Sequence, residues 1–465
     1  MTPDFPSQEK FWRFAEESLG SENTGILSSS MSEEPEVSVR RNPSKLSMKA
    51  FQTIFNEKEG CSVPWCDDGL YLSCRKNFTL DPMLHCGAYY VQDASSMFVG
   101  TLFKNTVSGI SGRLRILDLC AAPGGKTTHM AAVLHSLGKS DSILVSNEAI
   151  SSRINSLVEN VGRWGEPNVV VTNSDAAAFR KLPGFFDIIL VDAPCSGEGM
   201  FRKERKAVSD WSEGNVRLCA ARQKRILGDI WPALKEGGTL IYSTCTYNRL
   251  ENDGNLEWMA SELGAETIDI GNIPDGAIRT SAGGVQFIPG KIRGEGQFVS
   301  AVRKNPYVSI SPKRTARLHS GKKNEAGSRI GNIRCGYVTG DMVFSMKGEL
   351  LKAIPKAIYE DVAAVEASVK TVRSGIAVAM SKGKDLIPEF DLAHINPDFL
   401  DKSEFDCVEV GTDEALFYLR KGNPVFKDRP KGYILLIYKG LPLGFVKNLG
   451  NRTNNLMPAS RRILI

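Results

Sequence analysis

From Arg115 onward the chain repeats one pattern, a short apolar run followed by a stretch at helical spacing, and this alternation restricts the fold more than any other feature. The extended candidates are residues 115–121, 142–147, 168–172, 186–191 and 238–243, with helices expected between them, for instance over 126–137 and 215–234. Strands alternating with helices predict an α/β unit built on a mainly parallel sheet. Two further extended stretches, 284–288 and 297–303, are expected to finish that sheet as an antiparallel hairpin.

At 465 residues the chain exceeds one ordinary core, since domains run to about 100–200 residues. The reading divides it into an N-terminal accessory region of mixed short elements (1–110), the α/β domain (111–305), a basic linker and connecting segment (306–370) and a small β-rich domain (371–465). Within the linker, Lys313, Arg314, Arg317, Lys322, Lys323 and Arg329 face a single acid, Glu325. That run serves either as a solvated loop or as a phosphate contact. In the last domain, strands are expected at 375–380, 416–419, 433–438 and 443–447.

No apolar run approaches the roughly 20 residues that a bilayer requires, and the opening Met-Thr-Pro-Asp-Phe-Pro lacks the basic-then-apolar order of a secretory signal. The expectation is a cytoplasmic protein with no membrane partner, a monomer in the simplest case. The ten cysteines form no CxxC pair and no cysteine–histidine cluster at zinc spacing, so thiols and no metal are expected. A net charge of +5 points weakly to a polyanionic partner.

The run Leu117-Asp-Leu-Cys-Ala-Ala-Pro-Gly-Gly-Lys-Thr-Thr128 follows a strand and opens a helix, where glycines and free backbone N–H groups let a polar ligand approach. A P-loop would need glycine in place of Cys120, and GxGxxG is absent. Three acids then fall after successive strands: Glu148, Asp175 and Asp192. Each alone reads as a surface or capping residue. As an ordered series they line the crevice where open α/β sheets bind ligands, with Glu148 placed for the two hydroxyls of a ribose.

Two cysteines share the same geometry. Strand 186–191 runs into Asp192-Ala-Pro-Cys195, and strand 238–243 runs into Thr244-Cys245, which places both thiols at the ligand crevice. Such a thiol suits chemistry at C5 of cytosine, which is a poor nucleophile until something adds to C6. An acid such as Asp192 assists the addition by hydrogen bonding at N3, and the target base must first leave its stack. A methyltransferase acting on an exocyclic amine would need no thiol.

These cysteine motifs, with Cys120-Ala-Ala-Pro-Gly-Gly-Lys126, resemble the Nop/Sun family of RNA 5-cytosine methyltransferases. Tyr90-Val-Gln-Asp-Ala-Ser-Ser-Met97 and Val37-Ser-Val-Arg-Arg-Asn42 are similar to the family's preceding and RNA-associated segments. Residues 432–447 and 451–458 resemble its C-terminal PUA-like domain, and the combination is most similar to the bacterial 16S ribosomal RNA methyltransferase F subgroup. The resemblance implies a Rossmann-like core using S-adenosyl-L-methionine, an N-terminal α+β RNA-associated region, a PUA-like domain and RNA, most of all ribosomal RNA, as partner. It implies that Cys245 bonds to C6 and that Cys195 helps to release the product. Cys120, Ala121, Ala122, Pro123, Gly124, Gly125, Lys126, Glu148, Asp175 and Asp192 would bind the cofactor, with Lys126 and Asp192 also close to the chemistry. Two departures stand out: Ile288-Pro-Gly-Lys291 where members often carry histidine, and Asn454 where lysine is common.

Three other readings compete. A DNA cytosine methyltransferase would use the Pro-Cys cysteine and leave Cys245 without a role. Transfer RNA could replace ribosomal RNA as the substrate. A ribosome-assembly factor could bind RNA without turnover.

Overall fold

The computed structural model describes residues 9–55, 61–305, 335–383 and 385–464; the basic run 311–329 lies outside them. The N-terminal region holds α1 (Glu9–Ser30), β1 (Val37–Arg41), α2 (Met48–Phe55), β2 (Ser62–Val63), β3 (Cys66–Leu72), α3 (Pro82–His85), β4 (Tyr89–Val91) and α4 (Ala94–Ser108). Its strands pair in the order β2-β3-β1-β4. Helix α1 is broken at Gly20, whose φ of 78° is non-helical. Helix α4 starts where the Asp93 side chain accepts from the backbone N of Ser95, satisfying one of its free first-turn donors.

The central domain comprises β5 (Arg115–Asp118), α5 (Gly125–Ser136), β6 (Ile143–Asn147), α6 (Ile154–Trp164), β7 (Val169–Thr172), β8 (Phe186–Asp192), α7 (Arg205–Asp210), α8 (Glu213–Ile230), β9 (Leu234–Thr244), α9 (Asp253–Leu263), β10 (Ala265–Thr267), β11 (Ile278–Arg279), β12 (Val285–Phe287) and β13 (Gln297–Lys304). Strands β5 to β9 pair in parallel in the order β9-β8-β5-β6-β7, and β13 and β12 add antiparallel beside β9 as expected. Every residue of β6 and β7 is buried, because helices cover both faces of a parallel sheet. The expected helix 215–234 stops at Ile230, where Pro232, with no backbone N–H to give, starts a short turn. Strand order reverses between β5 and β8, which opens a crevice at their carboxyl ends.

The C-terminal part has β14 (Met342–Lys347), β15 (Leu350–Pro355), α10 (Tyr359–Ser368), β16 (Thr371–Arg373), β17 (Ile376–Lys382), β18 (Asp385–Pro388), β19 (Asp406–Glu409), α11 (Thr412–Leu419), β20 (Gly432–Tyr438), β21 (Leu441–Asn448) and β22 (Thr453–Asn455). They make two four-stranded sheets, β14-β15-β17-β18 and β19-β20-β21-β22. The first spans residue 370, where the sequence reading set a boundary, because β15 pairs with β17 across it. Residues 416–419, expected as a strand, are instead the end of helix α11. The Glu414 carboxylate accepts from the Gly411 backbone N at 3.0 Å, and Ala415, Tyr418 and Leu419 are buried on one helical face. Strand β16 was not foreseen; it joins the central sheet beside β7.

Three regions are locked together by packing. Val39, Phe51 and Leu70 of the N-terminal region share one core with Tyr418 of α11 and with Ile434 and Leu443 of the last sheet. Arg40, fully buried in β1, donates to Gln92 Oε1 at 2.7 Å, to Thr128 Oγ1 at 2.7 Å and to the Gly125 carbonyl at 3.2 Å, and lies over the Trp164 ring. Burial lowers its pKa to about 10, so it remains a cation. This arginine, in the segment that resembles an RNA-associated piece, braces the first turn of α5 and presents no surface to a nucleic acid. No helix among the described residues is long and apolar enough to cross a membrane. Arg40→Leu would strand the acceptors on Gln92, Thr128 and Gly125, and is expected to cost about 3 kcal/mol, read as a lowered urea midpoint with secondary structure retained.

Candidate active site

Past β5 the chain turns through Cys120–Pro123 and enters α5 after Gly124, whose φ of 110° is left-handed and suits glycine. Thr127 Oγ1 donates to Asp118 Oδ2 at 2.6 Å, while Asp118 Oδ1 is buried with no hydrogen-bond partner among the described residues. Burial pushes the Asp118 carboxyl up to about 7. Arg153 Nη2 donates to the Ala122 carbonyl at 2.6 Å, and its Nη1 lies 3.3 Å from Glu148 Oε2. A cavity of about 420 Å³ runs from this turn, past Lys126 and Asp192, to Cys245 and Gly296.

At the other end of the cavity, Lys126 Nζ donates to Asp192 Oδ2 at 2.8 Å and Ser243 Oγ donates to Asp192 Oδ1 at 2.7 Å. Burial works against the charge on Lys126, yet Asp192 outweighs it and raises the ammonium above its ordinary value. Cys195 Sγ and Cys245 Sγ stand 3.2 Å apart, and the Cys245 backbone N donates to Cys195 Sγ at 3.4 Å. Its hydrogen bond to Cys245, together with burial, raises the Cys195 thiol well above the ordinary range. All ten cysteines are free.

Two buried carboxylates hold the thiol-bearing loops. Glu198 accepts from Thr246 Oγ1, from the Tyr247 and Asn248 backbone N atoms at 2.8 and 3.1 Å, and from Trp211 Nε1 at 2.9 Å. Glu251 accepts from the Ser196 backbone N at 3.1 Å, Gln223 Nε2 at 2.7 Å and Asn248 Nδ2 at 2.8 Å. Burial and then the neighbouring Glu198 push Glu251 up to about 7. The Gly199 backbone N donates to the Cys245 carbonyl at 2.9 Å, and a side chain on Gly199 would meet the Gly296 carbonyl at 2.4 Å. A residue without Cβ is therefore required where these loops cross.

Cys120, Ala121, Ala122, Pro123, Gly125, Lys126, Asp192 and Cys245 all line the one cavity, with Gly124 in the same turn and Cys195 behind Cys245. Glu148 sits one ion pair behind, accepting from the Ile150 backbone N at 2.8 Å and facing Arg153, which itself lines the cavity. Asp175 is not part of the lining; it accepts from the Ala177 backbone N and pairs with Arg225, a capping role. Sequence reasoning missed Arg153, Glu198 and Glu251. No group of histidine, cysteine and acidic residues among the described residues could hold a metal.

Comparison with known proteins follows the same outline. The 16S rRNA methyltransferase RsmB/F model matches residues 111–303, that for the N-terminal domain of 16S rRNA methyltransferase RsmF residues 8–94, and that for the methyltransferase RsmF PUA domain residues 405–463. Ribosomal RNA small subunit methyltransferase F of Shewanella baltica (strain OS223) is 32% identical over 440 residues, covering 90% of this chain and 89% of its own. The protein of that name from Shewanella oneidensis is 31% identical over 444 residues, 90% of each. Among solved structures, a methyltransferase homolog protein from Pyrococcus horikoshii aligns with a TM-score of 0.53 at 25% identity, over 63% of this chain and 94% of its own. NSun6 from Pyrococcus horikoshii with SFG aligns with a TM-score of 0.52 at 19% identity, over 64% and 98%, a likeness of fold.

Glu198→Gln would set an amide N–H₂ against the donors that now converge on a carboxylate. It is expected to lower stability by about 3 kcal/mol, measured by urea unfolding, and to raise the alkylation rate of the cavity thiols as their loops loosen.

Proposed function

This chain belongs to the RsmB/F family of 16S rRNA methyltransferases, and from that premise we propose that it transfers a methyl group from S-adenosyl-L-methionine to C5 of a cytosine in 16S ribosomal RNA, through a covalent bond between Cys245 and C6. The observation that carries the proposal is the Cys245 thiol in one cavity with a glycine turn, 3.2 Å from the Cys195 thiol. Transfer to oxygen or to an amine has no use for such a pair.

The residues at the other end suit the cofactor. Asp118 offers a buried oxygen without a partner, the Gly124–Gly125 turn lets a ligand reach backbone N–H groups, and Arg153 borders the same space. Glu148 and Asp192 remain candidate acids for its ribose and cationic head, whereas Asp175 caps the turn after β7 outside the lining. Bound there, S-adenosyl-L-methionine supplies an electrophilic methyl group.

The chain's residues do the rest. Cys245 as thiolate adds to C6, and the C5–C6 electron pair becomes available at C5. In its acid form Asp192, placed by Lys126 and Ser243, donates its proton to N3 as negative charge develops there, and the Lys126 ammonium lowers the cost of that charge. After C5 has taken the methyl group, a base takes the C5 proton, and the electron pair left behind restores the C5–C6 double bond and expels Cys245 as thiolate. Cys195, in contact with Cys245, assists that release. The segment matched by the PUA model would contact the RNA through Lys439, Lys447, Arg452 or Arg462, whereas Arg461 is held inside by Glu159 and Asp391.

With labelled cofactor and 16S ribosomal RNA or small subunits, wild type is expected to yield 5-methylcytosine. Cys245→Ala should lose roughly three orders of magnitude or more in rate, and Cys195→Ala should leave a protein–RNA adduct on a denaturing gel. Asp192→Asn should lose about 100-fold in kcat. Methylation that survives Cys245→Ala but not Cys195→Ala would reverse the two roles; no methylation by wild type would favour an RNA-binding assembly factor.

A further inference from the structure

Lys203 lies on the turn that follows Cys195 and lines the mouth of the cavity with Met200, Asp93 and Glu295. Its Nζ donates to Asp93 Oδ2 at 2.7 Å and lies 3.7 Å from Glu295 Oε1. Each acid is itself anchored. Asp93 Oδ1 accepts from the backbone N atoms of Ser95 at 3.0 Å and Glu295 at 3.2 Å. Glu295 is almost wholly buried; neither carboxylate oxygen accepts a hydrogen bond among the described residues, and its nearer cation is Arg202 Nη2 at 3.3 Å. Arg202, equally buried, donates to the carbonyls of Ser30 and Glu34 at 3.3 and 3.2 Å and so ties the end of α1 to the same cluster.

An exposed lysine swings freely and loses that freedom when it binds an anion; this one is already held. An ammonium has three donors, and the hydrogen bond to Asp93 engages one. Lys126, the other lysine lining the cavity, is committed to Asp192. A cytidine that leaves its stack to reach Cys245 carries its flanking phosphodiesters to the cavity mouth. From this geometry we propose that Lys203, preset by Asp93 and Glu295, takes a backbone phosphate next to the target nucleotide, and that Glu295 and Arg202 are positioning residues for it. The proposal rests on the RNA-methylation reading above and adds the anchor by which the RNA is seated. Burial raises the Glu295 carboxyl above its ordinary value.

The test compares wild type, Lys203→Met, Lys203→Arg and Glu295→Gln with a 16S ribosomal RNA transcript, by steady-state kinetics and by filter binding across salt. In Lys203→Met the KM for RNA should rise about tenfold with kcat nearly unchanged, and the slope of log affinity on log salt should fall by about one phosphate. The KM for S-adenosyl-L-methionine should stay put, and Lys203→Arg should restore both RNA readouts. Glu295→Gln should raise the RNA KM in the same direction, with no further loss when combined with Lys203→Met. An unchanged salt slope and RNA KM in Lys203→Met would overturn the proposal, as would an equal loss of cofactor affinity without rescue by arginine. Should Lys203→Met fail to fold, Lys203→Gln and Glu295→Gln carry the same two readouts, and wild-type values in both would overturn it. Filter binding needs no turnover, so failure of wild type to methylate would sink the functional reading while the salt slope still judges Lys203.

Discussion

The loops that carry Cys195 and Cys245 depend on two buried carboxylates. Glu198 and Glu251 collect backbone and side-chain donors from the loops after β8 and β9, and Asn248 gives its amide to both. A carboxylate only accepts, so each one fixes the direction of every donor around it. The loops that bring Cys195 and Cys245 to within 3.2 Å are therefore held by backbone donors on two acids as well as by the contact between the sulfurs. Burying a carboxylate is costly and a second one beside it adds to the cost: burial first, and Glu198 second, push Glu251 up to about 7. The arrangement persists because donors on both loops would be stranded without it.

How much of this is legible in the sequence differs by residue. The strands at 143–147 and 169–172 stand out because both faces are buried and the apolar run is continuous. The glycine turn, Asp192 and the two cysteines follow, since each sits directly past such a strand. Glu198 and Glu251 are invisible by the same logic: a glutamate in a loop reads as solvated, and only the fold shows donors converging on it. Arg40 misleads for a related reason, an arginine in a segment similar to an RNA-associated piece that turns out to brace α5 from inside. Residues 416–419 were misread because four apolar and aromatic residues cannot distinguish strand from helix, and the deciding contact comes from Glu414 upstream. Asp175 has the right position along the sequence, yet its side chain caps the next turn.

The terminal regions meet at the end of α6, and this changes what each can be asked to reveal. Asn42 Nδ2 donates to the Trp164 carbonyl at 3.0 Å and Lys45 Nζ to the Arg163 carbonyl at 2.8 Å, while from the C-terminal side the Asn396 backbone N donates to the Gly165 carbonyl at 2.9 Å. Strand β16 extends the central sheet itself, and the last sheet completes the core begun by Val39, Phe51 and Leu70. A chain cut after about residue 305 would expose that core and an edge of the sheet. Weaker RNA binding by such a fragment would mix lost contacts with lost structure. Charge substitutions on the last sheet, at Lys447 or Arg452, leave the core intact and separate the two, because a phosphate contact changes the salt dependence of binding whereas a loosened core changes the unfolding midpoint. The accessory domains thus act on the site first as scaffold, and whatever RNA they hold is held in a geometry that the scaffold has already set.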